Sequence, residues 1–213
     1  EGLVAHDHRR LRGEGARDRH PLLLAAGQLV RVAPDIVLGQ VDGAQQFQTA
    51  SSNWIDAPSS ASMDAISAGM TISALVYLDS AANYPMIMTH GANITEFRFE
   101  GGTRQLRFSV PNWMNTAPTA VPLSQWHHVA ATYDLASGAR RILIDGRVDA
   151  QDSTSGAIGG SGQTLYVGRR SDNYYFDGRL DEVRLSGIAR STNWIWATWS
   201  NSIAGSAFNA YGT

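Results

Sequence analysis

Cysteine is absent from this 213-residue chain, which removes disulfides, thiolate metal sites and a cysteine nucleophile together. Lysine is absent too: all 17 basic residues are arginine, a bias that no folding rule demands and that suits a GC-rich coding sequence. Charge is sparse, with 17% of residues charged against roughly 25% in ordinary soluble domains. The formal net charge of -2 and a pI of 6.3 give nucleic acid no global electrostatic pull. Long apolar runs are missing as well. The longest, Leu22 to Ala26, falls far short of the roughly 18 residues a membrane helix needs, so the expectation is a soluble chain that does not insert into membranes. Hydrophobic residues, at 43%, suffice for a real core in one large or two small domains and argue against general disorder. The chain begins at Glu1 without Met, so a signal peptide or an upstream region is expected to have been removed.

From about Leu38 onward the sequence is written in period two. In Thr71 to Leu78, residues Ile72, Ala74, Val76 and Leu78 fall on one face, as a strand with one buried side requires. Glu96 to Glu100 place Phe97 and Phe99 inward and three charges outward. Gly101-Gly102 follows, and then Leu106, Phe108 and Val110 alternate with Arg107 and Ser109, which predicts a hairpin. Trp126 to Tyr133 reads as another strand. Arg141 to Ile144 meets Asp145-Gly146, a dipeptide suited to a tight turn with positive φ, before Arg147 to Asp149 return. Leu165 to Val167 and Arg179 to Leu185 add two more. Turn signals recur about every ten residues, a cadence that means an all-β sandwich or barrel. One helix is expected after residue 40, capped by Ser191 or Thr192. It carries Trp194, Ile195 and Trp199 on neighbouring turns and packs as a lid on the sandwich.

Residues 6–37 break this pattern. His6, His8 and His20 stand among Arg9, Arg10, Arg12, Arg17 and Arg19 without strand alternation. The readings are a basic arm for an anionic partner, a long surface loop, or a stretch translated in a shifted frame.

An ordered set of motifs runs along the chain: Trp126 to Asp134, Ile144-Asp145-Gly146, Val167-Gly168, Phe176 to Leu185 and Ala189 to Ile195, with Gly39 to Phe47 and Gly2 to Ala5 upstream. This set resembles the LamG-like jelly-roll family, of bacterial secreted type, in the concanavalin A-like lectin and glucanase superfamily. The resemblance implies an all-β, two-sheet antiparallel jelly-roll sandwich with one short C-terminal helix, a single domain over residues 1–213 with 6–37 atypical. It also implies a secreted, extracellular or cell-surface location. Similarity to the glucanases further implies a structural Ca²⁺ ion with Asp181 as its carboxylate and a backbone carbonyl at Gly43, hard oxygen ligands that suit this cation. The competing account has Asp181 capping a turn or pairing with an arginine.

Catalysis finds little support in the residues. The glucanase members carry Glu-x-Asp-x-x-Glu on one strand, a pattern this sequence lacks. Glu96 and Glu100 share a strand face, but Arg98 lies between them and is expected to pair with both. His127 and His128 are adjacent on a strand and so point to opposite faces, which makes a shared metal ion difficult. Sugar binding needs exposed aromatic ring faces beside polar groups. Three loops supply them: Trp113 with Asn112 and Asn115, Tyr84 with Asn83, and Tyr174-Tyr175 beside Asp172 and Asn173. Each aromatic could instead anchor its loop in the sandwich. The resulting expectation is a non-catalytic, extracellular binding or adhesion module whose partner is a glycan or a cell-surface protein. The alternatives are a self-assembling structural subunit of a surface layer or filament, and a divergent glycoside hydrolase.

Overall fold

A computed structural model describes residues 31–32, 44–91, 95–114, 116–159, 162–172 and 174–202, with backbone alone at 31–32. The opening motif at Gly2 to Ala5, most of the basic 6–37 stretch and Gly43 lie outside the described residues. The strands are β1 (Arg31–Val32), β2 (Gln45–Phe47), β3 (Ile55–Ala57), β4 (Gly69–Leu78), β5 (Met86–His90), β6 (Thr95–Phe99), β7 (Leu106–Ser109), β8 (Trp126–Asp134), β9 (Ala139–Ile144), β10 (Arg147–Ser153), β11 (Leu165–Val167) and β12 (Gly178–Ser186). They form two six-stranded sheets, ordered β1-β3-β11-β5-β6-β7 and β10-β9-β8-β4-β12-β2. Every pairing is antiparallel, as the expected jelly-roll sandwich requires.

The core is the product of the alternation. Ile72, Ala74, Val76 and Leu78 of β4 and Val129, Ala131 and Tyr133 of β8 face Phe97 and Phe99 of β6 and Phe108 of β7 in one buried cluster. Each fully buried large side chain stabilises the fold by about 1.5–3 kcal/mol relative to exposure. Tyr133 keeps its hydroxyl satisfied by donating to the Gly156 carbonyl at 2.6 Å, the usual requirement for a buried phenol. The β9–β10 turn adopts the expected geometry. Asp145 (φ 48°) and Gly146 (φ 74°) are both left-handed and join Ile144 directly to its partner Arg147. Such a two-residue turn matches strand twist.

The helix α2 (Thr192–Ser202) forms where expected, with Ser191 as its cap: the Ser191 hydroxyl accepts from the Trp194 amide at 3.2 Å. Ile195 packs with Ala130 and Leu143 on the outer face of the second sheet, with Trp194 against them. Trp196 remains 46% exposed. One expectation needs correction, because α2 is not alone after residue 40. A 3-10 turn spans Thr49–Ser51 and a short helix α1 spans Ala61–Asp64. The Ser60 hydroxyl caps α1 through the Met63 amide, and Met63 is buried.

Candidate functional site

The two faces of β6 have opposite characters. Phe97 and Phe99 enter the core, so Glu96 and Arg98 project from the outer face of the first sheet. Across the ladder Glu96 stands opposite Thr89 and Ser109, and Arg98 stands opposite Met86 and Arg107. The sequence predicts outward charges. Their direction is as predicted, but they do not lie in water: Glu96 is 0% and Arg98 6% exposed. The cause is loop cover from distant parts of the chain, to which period-two patterning is blind.

Three loops supply that cover with aromatic rings. The Arg98 guanidinium lies 4.5 Å from the Tyr84 ring centroid and 4.6 Å from that of Trp113. Arg107 also lies over Trp113, at 4.7 Å, and Arg170 over Tyr174, at 4.6 Å. Tyr84 and Tyr174 meet edge to face at 5.4 Å. Contacts of this kind contribute on the order of 0.5–2 kcal/mol each. Arg98 and Arg107 are direct partners on neighbouring strands, and with both against its ring Trp113 is still 38% exposed. Tyr84, at 36%, has one ring face on Arg98 and lies against Gly101, where a Cβ would come within 3.2 Å of its ring. It therefore offers an edge more than a platform.

The charges interlock. Arg98 pairs with Glu96 at 3.7 Å and with Glu100 at 3.2 Å, the double pairing the sequence suggested. Arg107 shares Glu100 at 3.2 Å. Arg170 reaches Glu96 at 3.2 Å and holds Asp172 through two hydrogen bonds of 2.6 Å. Burial pushes the Glu96 carboxyl up, while Arg170 and Arg98 pull it down. Burial likewise lowers the Arg98 pKa against the carboxylates of Glu100 and Glu96. The hydrogen bond from Arg170 holds the Asp172 carboxyl below its ordinary value.

Of the sequence candidates, Trp113, Tyr84 and Tyr174 come together on this face. Tyr175 does not join them at the surface: it is buried, with its ring 6.4 Å from that of Trp54. Asn83 shares a left-handed turn with Tyr84, and Asn112 contributes its carbonyl to the network described next. Asn115 and Asn173 lie outside the described residues. Sequence reasoning placed Arg98 between its two carboxylates but missed Arg140, Arg169 and Arg170. Buried Arg140 of β9 holds Asp152 at 2.8 and 2.6 Å and donates to the carbonyls of Val110 and Asn112, so it pins the loop that carries Trp113. Arg169 lies over Trp54 at 4.1 Å and over Tyr166 at 4.9 Å. The legible signal was Gly168-Arg169-Arg170 set between aromatic-bearing segments.

The histidines serve the opposite sheet. Asp145 in the β9–β10 turn bonds His127 Nδ1 at 2.8 Å and accepts from the His128 amide at 3.0 Å. His128 is buried, and burial pushes its pKa down to about 4, with Asp145 opposing and Arg184 adding to the shift.

Asp181 stands at a β-bulge in β12, where the register with β4 slips between Asp181 and Arg184 and Glu182 takes φ 49°. Its Oδ1 accepts from the Glu182 amide at 2.8 Å. As a carboxylate it is the right donor type for Ca²⁺, and by itself it would supply one ligand. Gly43, the expected carbonyl ligand, is outside the described residues. Among the described residues no group of three or more His, Asp or Glu is placed to hold a metal.

The architecture defines a jelly-roll β-sandwich with one polar face roofed by arginine-stacked aromatic loops. The chain belongs to the concanavalin A-like lectin/glucanases superfamily, whose family model matches residues 49–196, a narrower span than the nearly whole-chain resemblance read from the motifs. Among curated proteins no relative matches. Domain 4 of AbnA, an extracellular arabinanase of Geobacillus stearothermophilus solved with arabinotriose, is 17% identical, with a TM-score of 0.60 over 80% of this chain and 81% of that one. A presumed carbohydrate-binding protein of Bacteroides ovatus is 19% identical with a TM-score of 0.52, and the alignment covers 78% of this chain and 43% of that one. The binding domain of Paraclostridial Mosquitocidal Protein 1 is 12% identical, with a TM-score of 0.66 over 83% and 48%. The chain thus aligns with less than half the length of the last two.

Proposed function

We propose that the chain is a non-catalytic, extracellular glycan-binding module, read as one domain over residues 1–213, and that its ligand lies on the outer face of the first sheet. The observation that carries this reading is the Trp113 indole. It is held by Arg98 and Arg107, at 4.6 and 4.7 Å from its ring centroid, yet is 38% exposed, beside a fixed array of arginines and carboxylates. An aromatic platform held rigid next to oriented polar groups is what sugar recognition needs, because little ordering cost remains at binding. The arabinotriose-bearing and carbohydrate-binding neighbours support this reading through their fold alone. A glycan array probed with the wild-type chain and with Trp113→Ala tests it, and signal that survives the substitution counts against it.

Hydrolysis fits the face poorly. Glu96 and Glu100 hold the Arg98 guanidinium between their carboxylates, at 3.7 and 3.2 Å, so that cation fills the gap a scissile bond would need. Both are also committed to arginines. A structural Ca²⁺ ion at Asp181 is part of the proposal, with the bulge in β12 as the device that aims the carboxylate. Self-assembly is the second reading, favoured by the exposed Trp196 and Ile188.

A further inference from the structure

On the outer face of the first sheet, the aromatic and charged groups fall into two clusters. Trp113 bridges to Ser109 of β7. At the other end Arg169 lies over Tyr166 of β11 and over Trp54. Tyr166 stands opposite Thr89 of β5, which stands opposite Glu96 of β6 and through it Ser109. The clusters are therefore three strand spacings apart, about 14 Å, the length of a short oligosaccharide and not of a single ring.

The ion pairs along that line leave one arginine out. Glu96, Glu100 and Asp172 are consumed by Arg98, Arg107 and Arg170. Arg169 has no ion pair among the described residues, although Asp56 lies opposite Tyr166 in the same row. Its Nε is buried and has no acceptor, and Arg98 Nε on the same face shares that condition. A buried donor without an acceptor is costly. A guanidinium stacked on two rings and left without an ion pair suits a planar or tetrahedral oxyanion.

Resting on the glycan-binding reading, we infer that the ligand is an anionic saccharide, a uronate or a sulfated sugar, whose oxyanion is held by Arg169 while another ring of the same ligand stacks on Trp113. The face thus reads charge at one end and ring shape at the other.

Trigalacturonate and its fully methyl-esterified form share rings and linkages and differ in charge and a methyl group at each carboxyl, and they test the inference by calorimetric titration at 50 mM and 500 mM salt. The acid binds wild-type protein at least tenfold more tightly than the ester at low salt, and the gap narrows at high salt. Arg169→Gln removes the preference for the acid, and Trp113→Ala weakens both. Equal binding of acid and ester, or a preference that survives Arg169→Gln, overturns the inference and leaves the glycan reading intact. Inorganic sulfate titrated into wild-type protein, followed by the arginine Nε–H resonances, is independent of any variant's folding. A shift at Arg169 supports the anion site even where neither sugar binds, and the glycan reading is then decided on the glycan array. An unmoved Arg169 resonance overturns the anion site.

Discussion

Acid should unfasten the second sheet through one side chain, His128. It lies opposite Leu75 in the β4–β8 ladder, is 3% exposed, and has its Nδ1 without a hydrogen-bond partner. Burial lowers its pKa from 6.5 to about 4. The folded pKa is depressed, so between these values the unfolded chain binds a proton that the folded chain refuses, and stability falls as pH falls. The loss begins below about pH 6.5 and saturates below about pH 4, at about 3 kcal/mol in total and about 2–3 kcal/mol by pH 4.5. Other groups titrate in this range. Burial also lowers the His90 pKa and adds to the loss, whereas the raised pKa of Glu96 works against it. The comparison that isolates His128 is urea unfolding of wild type and His128→Gln at pH 7.5 and 4.5. The variant's stability relative to wild type should improve by about 2–3 kcal/mol on going to pH 4.5. Parallel pH profiles for the two proteins would refute the reasoning, as would an NMR titration that places His128 near its ordinary pKa.

Three further outcomes follow from the same geometry. Arg140→Met should destabilise the fold by about 3 kcal/mol, because Asp152 and two loop carbonyls lose their donor. It should also weaken glycan binding by loosening the Trp113 loop, as read by chemical unfolding and by titration. Asp145→Ala removes the acceptor for His127 and for the His128 amide and should cost about 1–3 kcal/mol, measured as a lower unfolding midpoint. Chelation of divalent cations should lower the melting temperature if Asp181 holds Ca²⁺, and an unchanged melting curve removes that ion from the account.

What was legible in the sequence was local. The alternation at Ile72 to Leu78, the Asp145-Gly146 turn and the Ser191 cap each depend on residues within a few positions of one another, and each has the expected geometry. Elements governed by short-range exceptions were harder. Leu180-Asp181-Glu182-Val183 contains one residue too many for period two, which is the bulge written in sequence. The one-turn helix after Ser60 is too short for helical periodicity to register. The site was legible as a set of aromatics but not as an assembly. Trp113, Tyr84 and Tyr174 come from three separate loops, and only the sandwich brings them over Arg98. Glu96 and Arg98 looked like solvent-facing charges because burial by distant loops leaves no trace in local patterning. Tyr174 and Tyr175 read alike in sequence, yet one roofs the face and the other is buried beside Trp54.

Binding at the Trp113 face is the claim most directly open to measurement. Wild-type protein and Trp113→Ala, matched for thermal stability, are applied to one array of neutral and acidic plant and bacterial glycans. The account expects discrete binding by wild type that falls at least tenfold in the variant. Binding of equal strength by the two proteins, or none by wild type on any glycan, would contradict it.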